Sequence, residues 1–488
     1  MCNKYCRTPY MQLALPTTFP SIGGILTELP VTRAVSNEDD LLLRLDRLKP
    51  GRPHRKLMLM GGLGYTFDSF DGALMTYALS ALIVVWHIPK STAGWLLSSI
   101  FVGYLIGALL AGVLADRFGR RRMMLTALLV FCFCSLLIGT STTVPELFVW
   151  RILAGIGLGA EATLIAPYIS EFLPARVRGR FVARTISFLA LGYILAGILA
   201  PVVIAPHPET GWRIAAVIAA LPVVLLLWWR RSMPESPRYL LSRGRIAEAT
   251  AIIEDFERKC EVDPEALTET AQTQTSAPTR SNASAGGMFA PLTKLWAGPM
   301  ARTTLMLWLL WFALTGAHYG FSTWLPTLLV TDKGFTITKS FLFTLVVGIA
   351  QIPGYYVAQL LIDRLERKWL IAGYVLGATG SALLVALSDS EAMLLVGAAL
   401  LAAFLNGVAA VYYTYTAELY PTSIRVTGMG AASAVGRIGA IGTPIVIGYL
   451  SAAGVSFAQI FLGLVALLAT AIAVVVVLGQ KTSGRALS

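Results

Sequence analysis

Charge is scarce in this sequence. Aspartate, glutamate, lysine and arginine make up 14% of its 488 residues, where soluble domains carry about 25%, so an ordinary water-exposed globule is excluded. Cysteine is scarce too. The five cysteines show no framework spacing, and Cys132 and Cys134, two apart in an apolar run, point to different sides of a helix. Neither a disulfide scaffold nor a metal centre is expected. Residues 1–56 are polar and basic and lack the apolar segment of a secretory leader. The short alternating segments that build a membrane β-barrel are also missing.

What the chain has in excess is apolar sequence: 56% hydrophobic residues and a mean hydropathy of +0.68. Apolar runs of about twenty residues recur along it, the length a helix needs to cross a bilayer. The fold class expected is an all-α membrane protein. Twelve transmembrane helices are predicted near 57–82, 94–115, 123–140, 145–168, 181–205, 212–229, 303–329, 340–362, 369–388, 391–416, 427–451 and 457–478. The net charge of +12 could point to nucleic acid in a soluble protein. Here the basic residues cluster between apolar runs, so no nucleic-acid partner is expected. One set of alternate loops holds Arg117, Arg120, Arg121 and Arg122, then Arg176, Arg178 and Arg180, then Arg364, Arg367 and Lys368. The other set, such as P-H-P-E-T at 206–210 and S-D-S-E at 388–391, is nearly free of lysine and arginine. The positive-inside rule then places both termini in the cytoplasm of a multi-pass inner (plasma) membrane protein.

The chain divides accordingly into a cytoplasmic tail (1–56), a six-helix bundle (57–229), a polar cytoplasmic linker (230–302), a second six-helix bundle (303–478) and a short cytoplasmic tail (479–488). Within the linker, 244–259 has helical periodicity, while the small polar residues of 272–287 predict a mobile segment. The sequon at Asn282 is a chance match on the cytoplasmic side. The halves repeat. A-D-R-F-G-R-R (115–121) matches I-D-R-L-E-R-K (362–368), and E-F-L-P-A-R-V-R (171–178) matches E-L-Y-P-T-S-I-R (418–425), at one shared shift of 247 residues. Parallel repeats of this kind place a substrate site between the halves near the bilayer midplane.

Several motifs carry a family resemblance. G-V-L-A-D-R-F-G-R-R-R (112–122) resembles the signature loop of the major facilitator superfamily. P-E-S-P-R-Y-L-L-S-R-G-R-I-A-E-A (234–249) and A-E-L-Y-P-T-S-I-R-V-T-G (417–428) resemble motifs shared by sugar porters and organic ion transporters. R-L-D-R-L (44–48), F-D-S-F-D (67–71) and G-L-G-A-E (157–161) are similar to the niacin-type and other metabolite:proton symporters. The glutamine- and asparagine-rich motif of hexose porters in span seven is replaced by A-L-T-G-A-H-Y-G-F-S-T-W-L-P, which disfavours a hexose. Glu366 stands where the family's second signature loop has glycine.

Few residues inside the spans are ionisable, and each such group is a functional candidate because it is costly in lipid. Asp68 and Asp71, three apart on one helix face, are expected to line the cavity, with at least one carrying a proton; the bland alternative is a structural hydrogen bond to a neighbouring span. Asp71 is expected to matter more, because the 247 shift makes it the repeat partner of His318. Arg151 resembles the family's span-four arginine associated with proton coupling. Glu161 is either a second protonation site or an arginine's partner. Arg437 in span eleven matches a position where the resemblance to animal organic-ion transporters associates a basic residue with anion carriers; it could instead pair with a carboxylate and hold the halves together. Arg184 is a lesser candidate for the anion.

Tyr65, Phe67, Tyr319, Trp324, Asn406, Tyr412, Tyr413 and Tyr415 could contact a flat substrate, whereas Phe70 is expected to face lipid. The resemblance implies a cytoplasmic gate holding the outward-facing state, built from Gly112, Asp116, Arg117, Gly119, Arg120, Glu171, Arg178, Asp363, Arg364, Glu418 and Arg425, with Glu171–Arg178 and Glu418–Arg425 as charge partners. The expectation is a monomeric, proton-coupled carrier of a small organic anion such as nicotinate or benzoate. It would need no cofactor and would draw on the proton gradient. An uncoupled facilitator or exporter of a neutral or cationic metabolite, and a non-transporting nutrient sensor, are the competing readings. No nucleophile–base or metal constellation points to an enzyme.

Overall fold

The computed structural model describes residues 37–260, 290–298, 300–362, 364–421 and 424–482. The segment 272–287, the Asn282 sequon and Asp363 lie outside them. The N-terminal side carries α1 (Asn37–Asp46), α2 (Arg52–Val85), α3 (Lys90–Phe118), α4 (Arg120–Thr140), α5 (Val144–Ser170), α6 (Ala175–Ile186), α7 (Leu189–Leu199), α8 (Gly211–Ala219) and α9 (Val223–Ser232). The linker supplies α10 (Pro237–Ser242), α11 (Ile246–Lys259) and α12 (Ala290–Leu295). Then come α13 (Met300–Thr331), α14 (Ile337–Ile362), α15 (Arg367–Leu387), α16 (Glu391–Leu419), α17 (Arg425–Ala452) and α18 (Phe457–Leu478). Among the described residues, eleven helical stretches are long and apolar enough to cross a membrane. A shorter apolar helix, Gly211–Leu225, stands at the expected sixth span.

Local chemistry explains where the elements depart from the predicted spans. α2 starts at Arg52 rather than near 57 because Pro53 fits a first helical turn and His54 Nδ1 accepts the Gly51 N–H at 3.1 Å. The fifth span is interrupted. α6 gives way to α7 at Ser187 and Phe188, and α7 ends in a π turn, Ala200–Ile204, which accommodates Pro201, a residue with no N–H to donate. The sixth span breaks between α8 and α9 at Pro222 for the same reason.

The repeat is visible in packing. A side chain at Gly107 of α3 would strike the Ile156 carbonyl of α5, and one at Gly354 of α14 would strike the Ala403 carbonyl of α16. Both members of the second pair lie 247 residues after the first. Glycine is needed there because two helix backbones touch. Ser80 and Thr327, again 247 apart, join hydroxyls at 3.1 Å across the halves, so the axis relating the repeats passes between them.

The two halves meet over the end that carries the basic-poor loops. Lys90 pairs with Asp332 at 2.8 Å, Ser98 Oγ donates to the Ile441 carbonyl at 2.7 Å, and Trp95 Nε1 donates to Tyr449 at 3.3 Å. Gly94 packs on Pro444 and Gly448. Towards the arginine-rich end, Gly112 of α3 and Gly430 of α17 face open space.

Candidate functional site

α3 and α17 run antiparallel, and past the Ser98–Ile441 contact Arg437 lies over the Tyr104 ring, 4.0 Å from its centroid. A guanidinium on an aromatic face gains about 0.5–2 kcal/mol and keeps its N–H edge free. Asp68, half-buried on α2, lies within electrostatic reach of Arg437, as do Tyr319 and Tyr413. Aromatic rings continue the lining. Phe101, one turn before Tyr104, packs on Tyr319 at 4.5 Å, and Trp311 packs on Tyr413 at 4.5 Å. Tyr412 stacks against Tyr413 at 5.2 Å. The result is a half-buried cation and a half-buried carboxylate beside a cluster of aromatic rings.

Behind α2 lies a second polar centre. Asp71 is 5% exposed and pairs with Arg151 of α5 at 3.5 Å. Glu161, 3% exposed on the same α5, has no ion-pair partner among the described residues. Asp71 Oδ2, Arg151 Nε and Glu161 Oε1 have no hydrogen-bond partner. An orphaned buried polar atom costs about 1–3 kcal/mol, so this centre is held at a cost to stability, as functional sites often are. Asp68, three residues before Asp71 on the same side of α2, is half-buried and forms no ion pair among the described residues, whereas Asp71 reaches Arg151 of α5. Asp71 meets Arg151, not His318, whose ring packs edge-on to Tyr319 at 5.0 Å.

Other expected residues sort by what they touch. Trp324 is fully buried and donates Nε1 to the Pro444 carbonyl at 2.9 Å, so it ties α13 to α17. Tyr65 donates to Ala162 O at 3.1 Å. Asn406 donates to Ala402 O at 2.9 Å and accepts from Tyr355 at 3.3 Å. Tyr415 is fully buried and donates to Gln480 O at 2.8 Å. Phe70 is 5% exposed and meets Phe67 edge-on, so it packs in the core and does not face lipid. Arg184 is exposed on α6.

At the arginine-rich end the pairs differ from those expected. Glu171 binds Arg120 and the Ser236 hydroxyl, not Arg178. Burial pushes the Glu171 carboxyl up, against the pull of Ser236 and Arg120. Arg178 donates to Leu173 O at 3.1 Å and lies 3.8 Å from Asp46. In the second half Glu418 binds Arg367 at 3.2 Å, and Arg425 donates to Tyr420 O at 3.2 Å. These are repeat-equivalent contacts, so Arg367 is the counterpart of Arg120, and Arg364 is merely exposed. Asp116, largely exposed, is 3.8 Å from Arg120. The Arg117 carbonyl accepts from Arg243 at 3.0 Å. Gly119, at φ +97°, turns α3 into α4 beside Glu235, which accepts the Arg121 N–H at 3.1 Å. Glu366 accepts the Thr482 N–H at 2.7 Å and so holds the C-terminal strand of chain against the bundle. Sequence reasoning missed Tyr104 and Phe101, whose i, i+3 spacing on an apolar helix reads as ordinary core. It also missed Lys90, at the start of α3, and Asp332, just past the end of α13, which are 242 residues apart.

Comparison with known proteins agrees with this architecture. A family model described as "Sugar (and other) transporter" matches residues 58–487. The chain is 36% identical to a niacin transporter of Acinetobacter baylyi, over 92% of this chain and 99% of that one. It is 29% identical to a benzoate transport protein of the same organism, over 85% and 87% of the two chains. In shape it resembles the xylose transporter of E. coli in an inward open conformation, with a TM-score of 0.70, 19% identity, and coverage of 89% and 98%. The chain therefore belongs to the sugar (and other) transporter family, within the major facilitator superfamily, and is a multi-pass membrane transporter.

Proposed function

We propose that this transporter imports a small aromatic or heterocyclic carboxylate, of nicotinate or benzoate type, together with protons across a bacterial inner membrane. The observation that carries the reading is Arg437, laid on Tyr104 inside an aromatic chamber with Asp68 in electrostatic reach. A guanidinium fork binds a carboxylate bidentately, and the flanking rings suit a flat substrate. The named substrates of two relatives, niacin and benzoate, have this chemistry.

Asp68 and an incoming carboxylate compete for Arg437. A proton on Asp68 frees the guanidinium for substrate, and its loss expels the substrate on the other side. The Asp71–Arg151 pair, with Glu161 beside it, couples the same proton to the fit of α2 against α5. The arginine-rich end faces the cytoplasm by the positive-inside rule, with both termini on that side. The bundle described is closed at the outer end through Lys90–Asp332 and Ser80–Thr327. Alternating access breaks these contacts and closes the inner end, where Gly112, Asp116, Arg120, Glu171, Glu418 and their neighbours form the gate. The cavity lies within one chain, so a monomer suffices and the proton gradient alone drives transport.

Binding to purified protein tests the anion reading. Nicotinate is expected to bind at least about tenfold tighter than the neutral nicotinamide, and Arg437→Ala to lower nicotinate affinity about 10- to 100-fold, the range of a charge-assisted contact. Equal binding of acid and amide, unchanged by Arg437→Ala, would remove Arg437 as the anion site.

A further inference from the structure

His318 is an ionisable side chain inside a span to which the transport reading gives no task. It is half-buried on α13. Its ring meets the Tyr319 ring, 5.0 Å away and nearly perpendicular, and it forms no hydrogen bond or ion pair with any described residue. A packed structural histidine would normally have a hydrogen-bond partner. A neutral imidazole offers one N–H donor and one acceptor, and here both are left for something the protein does not supply.

The aromatic lining says where that something lies. Arg437 rests on Tyr104 at 4.0 Å. Phe101 is one turn along α3 on the same face, and its ring meets Tyr319 at 4.5 Å. His318 adjoins Tyr319. The contacts thus run from guanidinium through aromatic rings to imidazole. An acid whose carboxylate is held by Arg437 lays its ring along this wall and turns its far edge to His318.

We infer that His318 donates a hydrogen bond to the ring nitrogen of a pyridine carboxylate and so selects nicotinate over benzoate. The inference rests on Arg437 being the carboxylate anchor. A benzoate in the same place presents a C–H to the imidazole and, by displacing water from it, leaves a polar group unpaired. Sites built to bond a polar atom reject the analogue that lacks it for this reason.

The test is competition binding of nicotinate and benzoate to the purified full chain, with His318→Phe and His318→Gln. The unaltered protein is expected to prefer nicotinate by at least about tenfold. His318→Phe should keep benzoate affinity, which also reports correct folding, and bring nicotinate down to the benzoate level. His318→Gln, which retains a donor, should restore part of the preference. Equal affinities in the unaltered protein would overturn the inference whatever the variants do. So would a preference that survives in His318→Phe, or an equal loss of both acids, which marks a packing role. Binding of neither acid to the unaltered protein would overturn the carboxylate reading together with this one.

Discussion

Asp68 and Asp71 are three residues apart and have different partners. Asp68 is half-buried and is read to share Arg437 with the substrate, while Asp71 lies against Arg151 at 3.5 Å in a site nearly closed to water. Their replacements should therefore separate. Asp68→Asn is expected to preserve substrate binding, since a neutral amide no longer competes for the guanidinium, yet to abolish accumulation. Arg151→Ala leaves the Asp71 carboxylate buried without its counter-charge, which costs about 3–5 kcal/mol. It should fold poorly, and Asp71→Asn added to Arg151→Ala should recover much of that loss. Thermal unfolding in detergent of the single and double variants measures this; a double variant no better than the single would show that the pair is not coupled.

Among the elements, helix contacts that repeat across the halves define where change is tolerated. Gly107 and Gly354 let α3 touch α5 and α14 touch α16. Gly107→Val is expected to lower the unfolding temperature, since overpacking of a tight contact costs about 1–3 kcal/mol. Gly112→Ala on the same α3, beside open space, should leave it unchanged. Similar unfolding temperatures for both would contradict the packing described. The run lengths, the arginine distribution and the 247 shift make the span plan and the repeat readable in the sequence, because each depends on local composition. The breaks at Pro201 and Pro222 were signalled by the prolines themselves, yet an apolar run hides them. Tyr319, Tyr412 and Tyr413 were readable as aromatic candidates, but the part of the ring cluster on α3 was not. Tyr104 acquires a role through α17, more than three hundred residues later, and no local pattern encodes which helices cross. The same holds for Glu171, whose partner is Arg120 at the start of α4 rather than the nearby Arg178.

Taken whole, the molecule is a pair of related bundles latched at one end, and the latch is polar. Lys90–Asp332 is partly buried, with 26% and 14% of the side chains exposed. Lys90→Ala or Asp332→Ala should shift the population towards the state open at that end by several-fold, the effect of about 1 kcal/mol. Labelling of a cysteine placed at Ser80, beneath the latch, with a membrane-impermeant maleimide would report it; an unchanged labelling rate would show that the ion pair does not hold the bundle closed. The central claim is that substrate and proton share one chamber. Its most direct test is uptake of labelled nicotinate into proteoliposomes under an inward proton gradient, with Asp68→Asn alongside the unaltered protein. The account predicts accumulation above the external concentration, collapse of that accumulation when the gradient is dissipated, and binding without accumulation in Asp68→Asn. Equal uptake with and without the gradient, or full accumulation by Asp68→Asn, would contradict it.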